Sequence, residues 1–210
     1  MTIQQTPGLL QSPEYAALVT KADPLVASYL GPTASAIWDL VNDERGRPLL
    51  KLKVVDPFSG PGTWNFAPDE LRNERHLSSR LGDLTDSLVR TGVWRKPLDD
   101  LFSSIREWSQ GLPGAYIQEE PMTYRDGNGM FEASRLLVTS EGLTMQVEPV
   151  GSWVVGADGL VNLNGLGGPY MLLYSQRDGG WFYLPDTTPA QTVPLTQELY
   201  LQLAEACLHG

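Results

Sequence analysis

Leu50, Leu52 and Val54 are apolar, Lys51 and Lys53 stand between them, and Val55 follows. A period of two sends alternate side chains to opposite faces, so this segment predicts a half-buried strand with its lysines outward. The apolar run at 37–41 predicts a strand before it, joined through the turn-rich residues 42–46. Residues 56–62 read Asp-Pro-Phe-Ser-Gly-Pro-Gly, a dense turn signal, and 63–66 predict the returning third strand of a meander.

Elsewhere the apolar spacing lengthens to three and four. Ser12-Pro13-Glu14 has the order of a helix start: a capping hydroxyl, proline in the first turn, and an acid near the positive end of the dipole. That helix is expected to run to about Lys21, ahead of the breakers Asp23-Pro24 and Gly31-Pro32, with the first eleven residues a loose tail. After Pro68-Asp69-Glu70, the residues Leu71, Leu77, Leu81, Leu84 and Leu88 fall near helical spacing, with a break near Asn73 and an end at Gly92. Pro97 opens a further helix whose stripe of Leu98, Leu101, Phe102, Ile105 and Trp108 places Trp108 in the core, and Gly111 ends it.

From about residue 113 the pattern returns to a period of two. Leu143, Met145 and Val147 alternate with Thr144, Gln146 and Glu148, and Asp126-Gly127, Glu141-Gly142, Asp158-Gly159 and Asp178-Gly179 supply hairpin signals. Strands are expected near 133–139, 142–149, 152–156, 160–164, 169–175 and 180–184. A final helix capped by Thr196 follows, with Leu199, Leu203, Ala206 and Cys207 as its buried stripe. Hairpin-linked strands with segregated helices define an α+β fold with antiparallel meander sheets, a helical pair in the middle and a C-terminal helix. Gly111-Leu112-Pro113-Gly114 marks a candidate boundary between 1–112 and 113–210, although one continuous domain fits the same pattern.

Charge separates these halves. Residues 1–112 hold twelve Lys/Arg and fourteen Asp/Glu, whereas 113–210 hold three and eleven. A chain with net charge −10 and so few cations in its second half is poorly suited to displacing counterions from nucleic acid. The acidity reads either as a solubility device or as a docking field for a basic partner. One cysteine, no basic-then-apolar start and no long apolar run lead to the expectation of a soluble, cytoplasmic protein without a membrane span.

The inventory for catalysis is thin. The two histidines, His76 and His209, match no metal-binding motif, and the single Cys207 lies on an apolar stripe, so neither a metal nor a cofactor is expected. Ser59 sits in a turn that its proline and glycine neighbours already explain. Gly60-Pro61-Gly62 lacks the Lys-Ser/Thr of a phosphate loop, and Gly165-Leu166-Gly167-Gly168 precedes a strand rather than a helix. The spacing after Asp126 puts Phe131 and Leu137 where a calcium loop needs Gly and Glu. Of the acid pairs, Asp69-Glu70 and Asp99-Asp100 suit first helical turns. Glu119-Glu120 falls in a segment that reads as irregular.

Among the six tryptophans, Trp181 heads the run Trp181-Phe182-Tyr183, whose members must face opposite sides of one strand. Residues 170–184 followed by the helix capped at Thr196 resemble the last strands and helix of SUKH-type bacterial immunity proteins, over less than a quarter of the chain. The resemblance carries over no residue.

The residues together predict a non-enzymatic interaction module (an adaptor, an inhibitor or a subunit of an assembly) whose partner is a protein with a basic surface. Its expected binding residues are Trp181, Tyr183, Glu119, Glu120, Asp178 and Asp186. The alternatives are a carbohydrate or small-molecule binder with an aromatic β face, a bacterial immunity-type protein, and a carboxylate-dependent hydrolase.

Overall fold

A computed structural model describes residues 1–127, 129–152, 154–186 and 191–210. The fold is α+β with mostly antiparallel strands, as the pattern predicts. Two compact units emerge: Met1–Gly92 with Arg125–Phe131, and Val93–Tyr124 with Glu132–Gly210. The expected boundary at Gly111–Gly114 lies within the second.

The first unit contains β1 (Thr2–Gln5), α1 (Pro7–Leu10), α2 (Pro13–Tyr29), β2 (Ser35–Asn42), β3 (Pro48–Asp56), β4 (Gly60–Phe66) and α3 (Pro68–Arg72). The meander is as expected. Leu50, Leu52 and Val54 are buried on β3, and register sets them against Phe66, Trp64 and Gly62 of β4. Trp64 meets Phe131 edge-on at 5.3 Å between centroids. A Cβ at Gly62 or Gly129 would overlap the Trp64 indole, so both positions need glycine for close approach.

Two expectations fail in this unit. The first eleven residues are not a loose tail. β1 pairs in parallel with β2, the Thr6 amide donates to the Trp38 carbonyl at 2.9 Å, and Leu9 is buried. Backbone pairing, which leaves no periodicity in Thr-Ile-Gln-Gln, holds the segment. Nor does Pro24 end α2, which runs for 17 residues with Val19, Ala22 and Val26 buried on both sides of it. An interior proline costs about 3 kcal/mol, and fully burying a single valine recovers about 1.5–3 kcal/mol.

Helix α4 (Glu74–Trp108) begins where the charge pattern changes: the Asn73 Oδ1 accepts from the Arg75 and His76 amides. It then continues unbroken for 35 residues, through Gly92 and Pro97, where separate helices were expected. A Cβ at Gly92 would lie 3.4 Å from the Phe58 Cβ, so this glycine serves a close approach inside a helix rather than a cap.

The second unit takes the end of α4 and a short 3₁₀ turn, Ser109–Gly111. Its strands are β5 (Tyr116–Asp126), β6 (Gly129–Ser140), β7 (Leu143–Gly151), β8 (Gly159–Asn164), β9 (Tyr170–Ser175), β10 (Gly180–Leu184) and β11 (Val193–Pro194), and α5 (Gln197–His209) closes it. The first residues of β6 and the last of β5 belong to the first unit. The strands follow the order β6-β7-β8-β9-β10-β11, with β5 beside β6. Glu141 (φ 52°) and Gly142 (φ 81°) make the left-handed pair of a tight hairpin between β6 and β7.

Three readings change here. Glu119 and Glu120 lie on β5, a strand rather than an irregular segment. Among the described residues of 152–156 none belongs to a strand, and Val154 bridges Ala157 in a tight turn. Gly159 opens β8 rather than forming a hairpin turn. Trp153, and Asn128 of the Asp126–Gly129 turn, lie outside the described residues.

Thr196 caps α5 as expected, its Oγ1 accepting from the Leu199 amide at 3.2 Å. Leu203 and Cys207 are buried with Tyr200, Ala204 and Leu208, while Leu199 and Ala206 are half-buried. The Gly165–Gly168 run is explained by α5. The Gly167 amide donates to the Cys207 carbonyl at 3.2 Å, and a Cβ at Gly165 or Gly167 would overlap the last helical turn. Trp108 is half-buried rather than core, its ring 5.7 Å from that of Tyr200.

Candidate functional site

Register assigns every side chain of the second unit's sheet to a face. Gly159, Tyr174 and Trp181 share one row across β8, β9 and β10. That row faces α4: a Cβ at Gly159 would strike the Trp94 indole, and Trp181 Nε1 donates to the Pro97 carbonyl at 3.2 Å. On the same face Val147, Val161, Leu163 and Leu172 are fully buried. The opposite face carries Gln146, Glu148, Asn162 and Asn164, all half-exposed. Strands β7 and β8 therefore show the alternation of a finished sheet.

Strand β10 departs from it. All five of its residues are half-exposed, on both faces. On the α4 side, Trp181 stands 5.4 Å from Tyr174 and Tyr183 stands 6.0 Å from Tyr170, each pair tilted out of parallel. On the other side, Phe182 lies opposite Leu173 and Leu184 opposite Met171. The hairpin β9–β10 is thus aromatic and apolar on two sides and complete on neither. Among the described residues, the hydroxyls of Tyr170, Tyr174 and Tyr183 have no hydrogen-bond partner. Partial burial, with Tyr170 and the Asp186 carboxylate nearby, pushes the Tyr183 phenol above its usual range. It remains a neutral donor at physiological pH.

The expected binding residues fall into two groups. Trp181, Tyr183, Asp178 and Asp186 belong to the β9–β10 hairpin and its flanks. Asp178 is in the turn, where its Oδ2 accepts from the Ser175 hydroxyl at 2.6 Å, and Asp186 is exposed just after β10. Asp158 joins this end of the sheet, its Oδ2 accepting from the Gln176 amide at 2.7 Å. Glu119 and Glu120 are elsewhere, on β5. Glu119 pairs with Arg106 of α4, and Glu120 accepts from Arg135 of β6 at 2.9 Å. Arg135 also bonds Glu148 at 3.0 Å, and these two carboxylates hold its guanidinium more firmly protonated. Strands β6 and β10 stand four strand spacings apart, or about 19 Å. The β5 acids are consumed in local ion pairs.

Tyr170, Met171, Leu173 and Tyr174 are members of this candidate hairpin surface that sequence reasoning overlooked. Their signal was the alternation in Tyr-Met-Leu-Leu-Tyr opposite three consecutive aromatics, which gives a hairpin with two apolar sides. Among the described residues no group of three or more His, Cys, Asp or Glu is placed to hold a metal, and no helix is long and apolar enough to cross a membrane. Burial pushes the Cys207 thiol up to about 11 and the Tyr200 phenol up to about 12, the latter hydrogen-bonded to the Ser109 hydroxyl at 2.6 Å.

No family model, curated protein or solved structure matches the chain. The resemblance of its C-terminal segment to SUKH-type immunity proteins gains no support from these comparisons.

Proposed function

We propose that this chain is a non-enzymatic protein-interaction module that docks a basic partner through the β9–β10 hairpin. The carrying observation is that β10 buries none of its aromatic side chains on either face. Half-exposed aromatics with polar handles are the usual energetic anchors of protein interfaces. The charge layout supports a basic partner: the second unit holds five Lys/Arg against thirteen Asp/Glu. Asp158, Asp178 and Asp186 flank the hairpin and steer such a partner towards it. Salt screens that steering over about 8 Å at physiological ionic strength.

Kinetics of association with the native partner test the reading. Raising salt slows association and changes dissociation less. Tyr183→Ala speeds dissociation at least about tenfold, the mark of a lost anchor, while the fold survives. Binding that is indifferent to both salt and Tyr183→Ala makes the acidity a solubility device and removes the hairpin from the interface. A glycan retained by the same hairpin in place of a polypeptide favours the carbohydrate-binding alternative, which the Tyr170–Tyr183 and Tyr174–Trp181 ring pairs also suit.

A further inference from the structure

A partner can reach a sheet by adding a strand to its edge or by laying side chains across its face. Both outer strands of the second unit are unsuited to strand addition. β11 is two residues long and ends in Pro194, and β5 carries Pro121 at its middle. Proline has no amide hydrogen to donate to an added strand, and short or proline-bearing edges resist pairing.

The face remains, and the part of β9–β10 that α4 leaves half-exposed has a specific chemistry. Two tilted ring pairs, Tyr174–Trp181 and Tyr170–Tyr183, stand as ridges along β9–β10. The three tyrosine hydroxyls make no hydrogen bond among the described residues, although Tyr174 interacts electrostatically with Lys96. Trp181 is less adaptable, because its indole N–H is bonded to Pro97. Carboxylates stand at both ends of the ridge: Asp158 and Asp178 at the turn, Asp186 beside Tyr183.

A polyproline II segment complements each of these features. It has no internal hydrogen bonds, so its carbonyls are free to accept from tyrosine hydroxyls. Its pyrrolidine rings fill the grooves between aromatic ridges, and its order before binding keeps the entropic cost low. Lysine or arginine beside the prolines would meet the flanking carboxylates. We infer that the Tyr170–Tyr183 and Tyr174–Trp181 ridge binds a basic, proline-rich segment of the partner in polyproline II conformation. The inference rests on the docking role proposed for this hairpin and names what it docks.

Calorimetric titration of the full chain with two synthetic peptides tests it. One is a Pro-Pro-Arg repeat and the other a Gly-Ser-Arg repeat of equal length and charge. The proline peptide binds at least about tenfold more tightly, and the Tyr170→Phe/Tyr183→Phe double variant loses about tenfold towards that peptide alone, with an unchanged melting temperature. Those variants remove two hydroxyls and keep the rings, so the fold is retained. Equal, salt-labile binding of both peptides overturns the proline-rich assignment and leaves the acidic docking role standing. A proline preference untouched by the double variant, and abolished instead by Phe182→Ala, moves the site to the other face and overturns this one. Absence of binding by either peptide at low salt overturns both the assignment and the docking role beneath it.

Discussion

Strands β4 and β10 both carry aromatics, and they use them oppositely. On β4, Trp64 and Phe66 are two residues apart, share one face and are buried, and burial along the strand strictly alternates. On β10, Trp181, Phe182 and Tyr183 are consecutive, divide between two faces and are buried on neither. Spacing by two lets one sheet face collect its aromatics under helices and leave the other polar. Adjacent aromatics leave apolar surface on whichever side lacks a cover. The difference shows that where aromatics stand next to one another, rather than how many there are, separates the buried face of β4 from the half-exposed faces of β10.

The largest expected effect tests the closed side of the comparison. Trp64→Ala removes a ring that is 2% exposed and should cost about 3–5 kcal/mol in urea unfolding. Tyr183→Ala should cost about 1 kcal/mol, the ordinary effect of a half-exposed position. Similar losses at both would show β10 to be core and break the contrast.

The covered face of the second unit should be as unforgiving as that of the first. Gly159→Ala forces a methyl group into the Trp94 indole and is expected to destabilise by about 1–3 kcal/mol. Gly82→Ala, on α4 with nothing within 4 Å of the new carbon, should stabilise by about 0.4–1 kcal/mol. Thermal melts of the pair separate glycines required by packing from those that are not. A Gly159→Ala variant as stable as wild type would show a yielding Trp94.

The smallest effect concerns Asp23, whose Oδ1 accepts from the buried Trp38 indole at 3.0 Å. Partial burial raises its pKa above 3.8, outweighing the hydrogen bonds from Trp38 and Gln5 that lower it. The folded state therefore holds this proton more tightly than the unfolded chain. The stability it contributes is fully present below pH 3.8 and is lost as pH rises through the raised folded value. Asp23→Asn keeps an acceptor for the indole and removes the charge. Its unfolding free energy should vary less with pH across that window, and at pH 7 it should at least equal wild type. A variant less stable than wild type at pH 7 would mean that the ionised bond to Trp38 outweighs burial after all.

The parts of the fold legible in sequence were those written locally: the Leu50–Val54 alternation, the break at Asn73, the Thr196 cap and the turns at Glu141-Gly142 and Asp178-Gly179. The illegible parts were settled by distant residues. Pro24, Gly92 and Pro97 signal helix termini, yet each lies inside a helix with buried residues on both sides of it: Ala22 and Val26 around Pro24, Leu88 and Trp94 around Gly92, Trp94 and Leu98 around Pro97. β1 and β5 are polar strands held by backbone pairing, which leaves no hydrophobic period to read. The candidate site was half legible. Trp181 and Tyr183 drew notice as aromatics, but Tyr170 and Tyr174 join them only through register, and Glu119 and Glu120 fall away because β5 is distant from β10 in strand order.

The interleaving of the two units bears on how the chain acquires its structure during synthesis. When the first 92 residues have emerged, the first unit still lacks Arg125–Phe131, so the Trp64 ring waits for Gly129 and the edge of Phe131. Between them come Val93–Tyr124, which belong to the second unit. The first unit cannot be completed until Val93–Tyr124 of the second have been made, and until β6 begins to emerge the Trp64 ring lacks its edge contact with Phe131.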